Sequence, residues 1–86
     1  MRLKALNTGI IEVDLHGMTK HQAKICIDNH LKKANSSIYR IRIIHGFHGG
    51  TELKDMIQKD YRKNNKVVRV EIGLNPGTTD LVLREL

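Results

Sequence analysis

Apolar and polar residues alternate with a period of two along three stretches of this chain and recur with a helical period along two others. From Ile10 to Leu15, Ile11, Val13 and Leu15 fall on one side and Glu12 and Asp14 on the other, the pattern of a half-buried strand. Between Ile38 and Ile44, Tyr39, Ile41 and Ile43 oppose Arg40 and Arg42. Between Val67 and Ile72, Val68, Val70 and Ile72 oppose Val67, Arg69 and Glu71. Thr19-Lys20-His21-Gln22 fits a capping box, which predicts a helix to about Ala34 with Ala23, Ile27, Leu31 and Ala34 on its apolar face and Cys26 and His30 at the border. Thr51 reads as the N-cap of a second helix with the stripe Leu53, Met56, Ile57 and Tyr61, ending near Asn64-Asn65. Gly73 to Gly77 is turn chemistry, and Asp80 to Leu86 returns as a last strand. Met1 to Gly9 has no clear period and reads as an N-terminal arm, leaving residues 10–86 as one domain.

The resulting order is βαβαββ. Strands of a sheet covered by helices on both faces are apolar on both sides, yet three of these strands carry charge on one side. One sheet face must therefore meet solvent, and both helices must pack on the other, making a two-layer α/β sandwich (α+β). Right-handed crossovers allow this only if the first three strands advance in one direction across the sheet. The loops after those strands then leave from one rim, bringing together His16, His45, His48 and the Asn75 turn.

Composition narrows the partners. The chain has 86 residues, 15 Lys and Arg against 9 Asp and Glu, and a pI near 9.8, a balance suited to a polyanion such as nucleic acid. A single Cys excludes an internal disulfide framework, and Cys26 reads as a small core filler. With no secretory leader and no long apolar run, the expectation is a cytoplasmic protein without membrane contact, acting as a monomer. Aromatic content is 3% with no Trp, so a platform of interleaved stacking aromatics is not expected and phosphate contacts should dominate. Lys59, Arg62, Lys63 and Lys66 gather where cations favour the second helix's dipole, which accounts for them without a ligand.

Two stretches carry candidate chemistry: Val13-Asp14-Leu15-His16-Gly17 and Ile44-His45-Gly46-Phe47-His48-Gly49-Gly50. If the strand persists through His16, Asp14 and His16 project to the open face with Cα atoms roughly 6.6 to 7 Å apart. A carboxylate so placed can hold one ring nitrogen and leave the other for proton transfer. In the second stretch Gly46, Gly49 and Gly50 permit close backbone approach, and the N-terminus of the helix from Thr51 favours an anion. The Gly-Lys-[Ser/Thr] ending of a Walker A loop is missing, which argues against nucleotide hydrolysis. Zinc held by His16, His45 and His48 is a rival, but the expectation is no resident metal site and no certain cofactor, with a divalent metal left open.

These motifs resemble those of the Smr (small MutS-related) domain family. Val13 to Gly17 is similar to its Leu-Asp-Leu-His-Gly motif, Ile44-His45-Gly46 and the following glycines to its His-Gly-x-Gly loop, and Gly73 to Leu83 to its final hairpin. The resemblance spans residues 11 to 86. It implies a fold similar to the C-terminal domain of translation initiation factor 3, a four-stranded mixed sheet of order 1-2-4-3. It also implies nucleic-acid binding and endonuclease or nicking activity on RNA or DNA, including RNA at stalled ribosomes. Asp14 and His16 would be the functional acidic and imidazole residues, with His45 opening the second motif. The chain departs from the pattern at His48, which stands where the family has its second Gly. The leading expectation is phosphodiester cleavage: His16, oriented by Asp14, acts as general base and His45 protonates the leaving oxygen. Gly46, His48, Gly49, Gly50 and Asn75 would contact substrate, while Arg40, Arg42 and Arg69 track the backbone. The alternative is a non-catalytic RNA- or DNA-binding adaptor associated with ribosomes or repair.

Overall fold

A computed structural model describes residues 9–47, 50–73 and 75–85, together with the backbone of 2–5. Its elements are β1 (Arg2–Ala5), β2 (Ile10–Asp14), α1 (Lys20–Lys33), β3 (Arg40–Ile44), α2 (Glu52–Asp60) with a 3-10 turn at Tyr61–Lys63, β4 (Arg69–Ile72) and β5 (Thr78–Val82). The sheet order is β1-β2-β3-β5-β4, with β2 and β3 parallel and the other pairs antiparallel. The four expected strands thus lie in the expected order, the last inserted between its two predecessors. The arm corrects the count to five, because Arg2–Ala5 pairs with β2 and extends the edge. Four residues are too short for their alternation to stand out from irregular chain.

α1 begins where its capping box says it should. Thr19 Oγ1 accepts from the Gln22 amide and Gln22 Oε1 accepts from the Thr19 amide, both at 3.1 Å. The helix stops at Ala34, whose extended backbone leads into Asn35, where Oδ1 accepts from the Ser37 amide at 2.9 Å. Ala23, Ile27 and Leu31 are buried against Val13, Leu15, Ile41, Ile43 and Leu81, and Ile57, Tyr61 and Val67 complete the core. Each fully buried Val, Leu or Ile contributes about 1.5–3 kcal/mol by the area it removes from water. The Tyr61 hydroxyl ties the helices together by donating to Asp28 Oδ1 at 2.6 Å. Burial, then the bond to Asp28, push its pKa well above the ordinary tyrosine value.

Two details depart from the sequence pattern. Val67 is buried while Val68 and Ile72 are exposed, Val67 lying in the turn before the edge strand β4. Thr51 holds the N-cap position of α2, but its hydroxyl donates to Asp55 Oδ2 at 2.9 Å rather than capping an amide. Among the described residues no helix is long and apolar enough to cross a membrane.

Candidate active site

The parallel ladder runs one step beyond β2 and β3, with the Leu15 amide donating to the Ile44 carbonyl at 2.8 Å, so the two motif loops leave the sheet side by side. A Cβ at Gly46 would touch His16 Cβ at 3.4 Å; the two stretches meet in space. Gly46 itself has φ +76°, a left-handed turn that suits glycine. Asp14 Oδ1 lies 2.5 Å from His16 Nδ1 and also accepts from the His16 amide at 3.2 Å. A carboxylate fixes Nδ1 as the protonated nitrogen and leaves Nε2 for other chemistry. The His16 side chain is 70% exposed while Asp14 is only 16% exposed, so the acid is set in the wall and the imidazole is presented outward.

His45 lies otherwise than expected. It continues the face of Ile41 and Ile43 and is buried, with Nδ1 2.8 Å from the Gly46 carbonyl and Nε2 2.9 Å from Thr79 Oγ1. The Thr79 hydroxyl also accepts from Gln58 Nε2 at 3.1 Å. A neutral ring protonated at Nδ1 satisfies the whole chain Gln58 to Thr79 to His45 to the Gly46 carbonyl. With both nitrogens engaged, His45 braces the loop from below instead of offering a proton at the surface. A metal ligand at His45 would have to break one of these bonds. His48 and Gly49 lie outside the described residues. Among those described, no group of three or more His, Cys, Asp or Glu is placed to hold a metal.

A cavity of about 580 Å³ opens between the loops, lined by His16, Thr19, Lys20, Gly46, Gly50 and Glu52 among others. Both helices begin here, and their charges separate them. The first turn of α1 has no acidic residue and brings Lys20, whereas that of α2 carries Glu52 and Asp55. An anion is therefore drawn to the start of α1, where the amides of Lys20 and His21 have no intrahelical acceptor, and is opposed at the start of α2. The first-turn charges thus favour the first helix over the second as the seat of an anion.

The three arginines are also committed. One register row crosses the open sheet face through Glu12, Arg42, Asp80 and Glu71. Arg40 Nη1 donates to Asp80 Oδ2 at 2.7 Å and Glu71 Oε1 at 2.8 Å, Arg42 Nε to Asp80 Oδ1 at 3.2 Å, and Arg69 Nε to Glu71 Oε2 at 2.7 Å, with Glu85 a second partner of Arg69. Burial works against the Arg40 cation, but its bonds to Glu71 and Asp80 outweigh it and hold the guanidinium more firmly charged than a free one. Glu71 is held below the ordinary carboxylate range by hydrogen bonds from Arg40 and Arg69. Arg40, Arg42 and Arg69 thus neutralise carboxylates of their own sheet, and among the described residues the positive excess lies on the helical layer, in Lys20, Lys24, Lys32 and Lys33 of α1 and the basic end of α2.

Residues 13–77 match the sequence profile of the Smr domain. The chain belongs to the Smr domain family. The fold agrees: the crystal structure of the Smr domain of Thermus thermophilus MutS2 is similar at a TM-score of 0.75 and 28% identity, over 86% of this chain and 98% of that one. No curated protein sequence matches. In this Smr domain the Asp14–His16 pair and Gly46 occupy one rim as the motifs imply, and Asn75 reaches that rim by accepting from the Gly77 amide at 2.9 Å. Sequence reading missed Lys20, Gln58, Thr79 and Asp80. The parity of Ile41, Ile43 and His45 already signals that His45 faces the core. Asp80 carries no such mark, because its partners come from other strands.

Proposed function

We propose that this Smr domain binds nucleic acid and cleaves a phosphodiester, RNA being favoured over DNA, with His16 as its acid/base group. The observation that carries the reading is the 2.5 Å contact from Asp14 Oδ1 to His16 Nδ1 beside a cavity that also receives Lys20 and the start of α1. His16 Nε2 would take the proton from a 2′-hydroxyl or water as that oxygen bonds to phosphorus. The bond to the leaving oxygen then breaks, and the imidazolium returns the proton to it. Lys20 and the amides at the start of α1 would stabilise the charge on the non-bridging oxygens. His45 would act as a positioning residue, holding the Gly46 loop against Thr79. Of the two motif histidines expected to act, His16 faces outward and His45 is buried, and that observation favours the second reading, a binding module without catalysis.

Labelled RNA and nicked or branched DNA, incubated with the wild type, Asp14→Ala and His16→Ala, with and without chelator, separate the two. Cleavage that disappears in both variants while binding persists supports the nuclease. Binding without cleavage by any form leaves the adaptor, and chelator-sensitive cleavage restored by one added metal assigns a metal to the reaction.

A further inference from the structure

A second cavity, of about 650 Å³, lies on the open sheet face and shares Ile44, Gly46 and Phe47 with the cavity around His16. Its size falls within the roughly 300–1,000 Å³ of ligand clefts. The two differ in charge. The sheet-face floor sets Glu12, Glu71 and Asp80 against Arg40 and Arg42, with the guanidinia bonded to the acids, so it has no spare positive charge for a phosphate. It does offer a polar, hydrogen-bonding surface to a neutral ring.

Phe47 stands at the boundary. It is the chain's only Phe and is 49% exposed. Its ring rests on backbone: a Cβ at Gly77 would lie 3.3 Å from Phe47 Cδ1, and the Gly77 carbonyl accepts from the amides of His45 and Gly46 at 2.9 and 3.1 Å. The ring is thus supported on one side, in a residue about half exposed to solvent. Next to it, Asn75 Oδ1 accepts from the Gly77 amide, which orients the carboxamide and turns its amide nitrogen away from that bond.

We infer that the sheet-face cavity receives an unpaired nucleobase next to the scissile phosphate, stacked on Phe47 and met at its edge by Asn75 and the polar floor. The inference rests on the proposed nucleic-acid function and names its substrate class: single-stranded nucleic acid. A paired base keeps both faces in its own stack and cannot occupy the ring. Phosphate is drawn to Lys20 on one side of Phe47 and the base to the polar floor on the other, where three acids against two arginines repel phosphate, which orients the strand across the ridge.

The test compares a fluorescent single-stranded RNA, the matching duplex and an abasic strand of equal length. The wild type should prefer the strand with bases over both others. Phe47→Ala should weaken that strand about 5- to 20-fold, in the lower part of the range for a stacked base, and leave the abasic strand unchanged. Phe47→Trp supplies a chain without Trp with a single reporter, whose emission should be quenched by the strand with bases and not by the abasic one. If Phe47→Ala binds the strand with bases as tightly as wild type and the Trp emission is unmoved, the inference is overturned while nucleic-acid binding stands. If the wild type binds none of the three, the functional reading fails and the inference with it. Far-UV circular dichroism confirms that each variant is folded.

Discussion

Replacing Asp80 with Asn removes one charge from beneath two arginines while preserving side-chain volume. The Asp80 side chain is 7% exposed and that of Arg40 is 19% exposed, so their 2.7 Å contact is a substantially desolvated, charge-assisted bond. Bonds to charged groups contribute about 1.5–3 kcal/mol net, and Arg40 keeps Glu71 as a second partner, which places this loss near the lower end. The Arg42 contact is longer, at 3.2 Å, and the Arg42 side chain is 34% exposed, so it adds roughly 0–1 kcal/mol. The expected loss is about 1.5–3 kcal/mol. At about 4–8 °C per kcal/mol for a domain of this size, the melting temperature should fall by about 6–24 °C. Urea unfolding followed by circular dichroism measures the free energy, and a double-mutant cycle with Arg40→Met isolates the pair. The variant also releases positive charge on the open face, so its nucleic-acid affinity should depend more steeply on salt than that of the wild type. A loss below about 0.5 kcal/mol, with no coupling to Arg40, would refute the view that this network organises the face.

Lys20→Ala should make the salt dependence of single-strand binding shallower by about 0.7 in the log–log slope, while Arg40→Ala leaves that slope unchanged; fluorescence titration over a salt series distinguishes them. Thr79→Val leaves His45 Nε2 and the Gln58 amide without their shared hydroxyl and should cost about 1–3 kcal/mol in urea unfolding. Gly73→Ala would place a Cβ 2.8 Å from the Thr78 carbonyl oxygen, so the hairpin must shift, and a loss of about 1–3 kcal/mol should appear in the same assay. Because the folded-state pKa of Glu71 is depressed, its contribution to stability is present above the ordinary glutamate value and disappears as pH falls through the folded value. Urea midpoints measured from neutral pH down to strongly acid pH should therefore fall less steeply in Glu71→Gln than in wild type.

The sequence by itself determined which residues lie inside. Period-two alternation in β2 and β3, and the helical stripe of α1, follow from which side chains must leave water, and Val13, Leu15, Ile27, Ile41 and Ile43 are buried as that pattern requires. It also determined the start of α1, since a capping box is local chemistry. Asp14 and His16 were legible as a pair because they are two residues apart, although β2 ends at Asp14 and His16 stands in the turn that follows it. Tertiary structure decided everything that depends on a partner distant in sequence. β1 is a strand because β2 offers an edge to pair with, and its own four residues carry too little signal. Arg40 and Arg42 read as free cations along the chain, but β5 inserts Asp80 beside them and β4 adds Glu71, so the face they line holds almost no net charge. The parity of Ile41, Ile43 and His45 turns the ring toward the core, but the partners that bond it there, Thr79 and Gln58, arrive from β5 and α2. A one-dimensional pattern records how each residue relates to water; which charge neutralises which is decided only when the strands take their places.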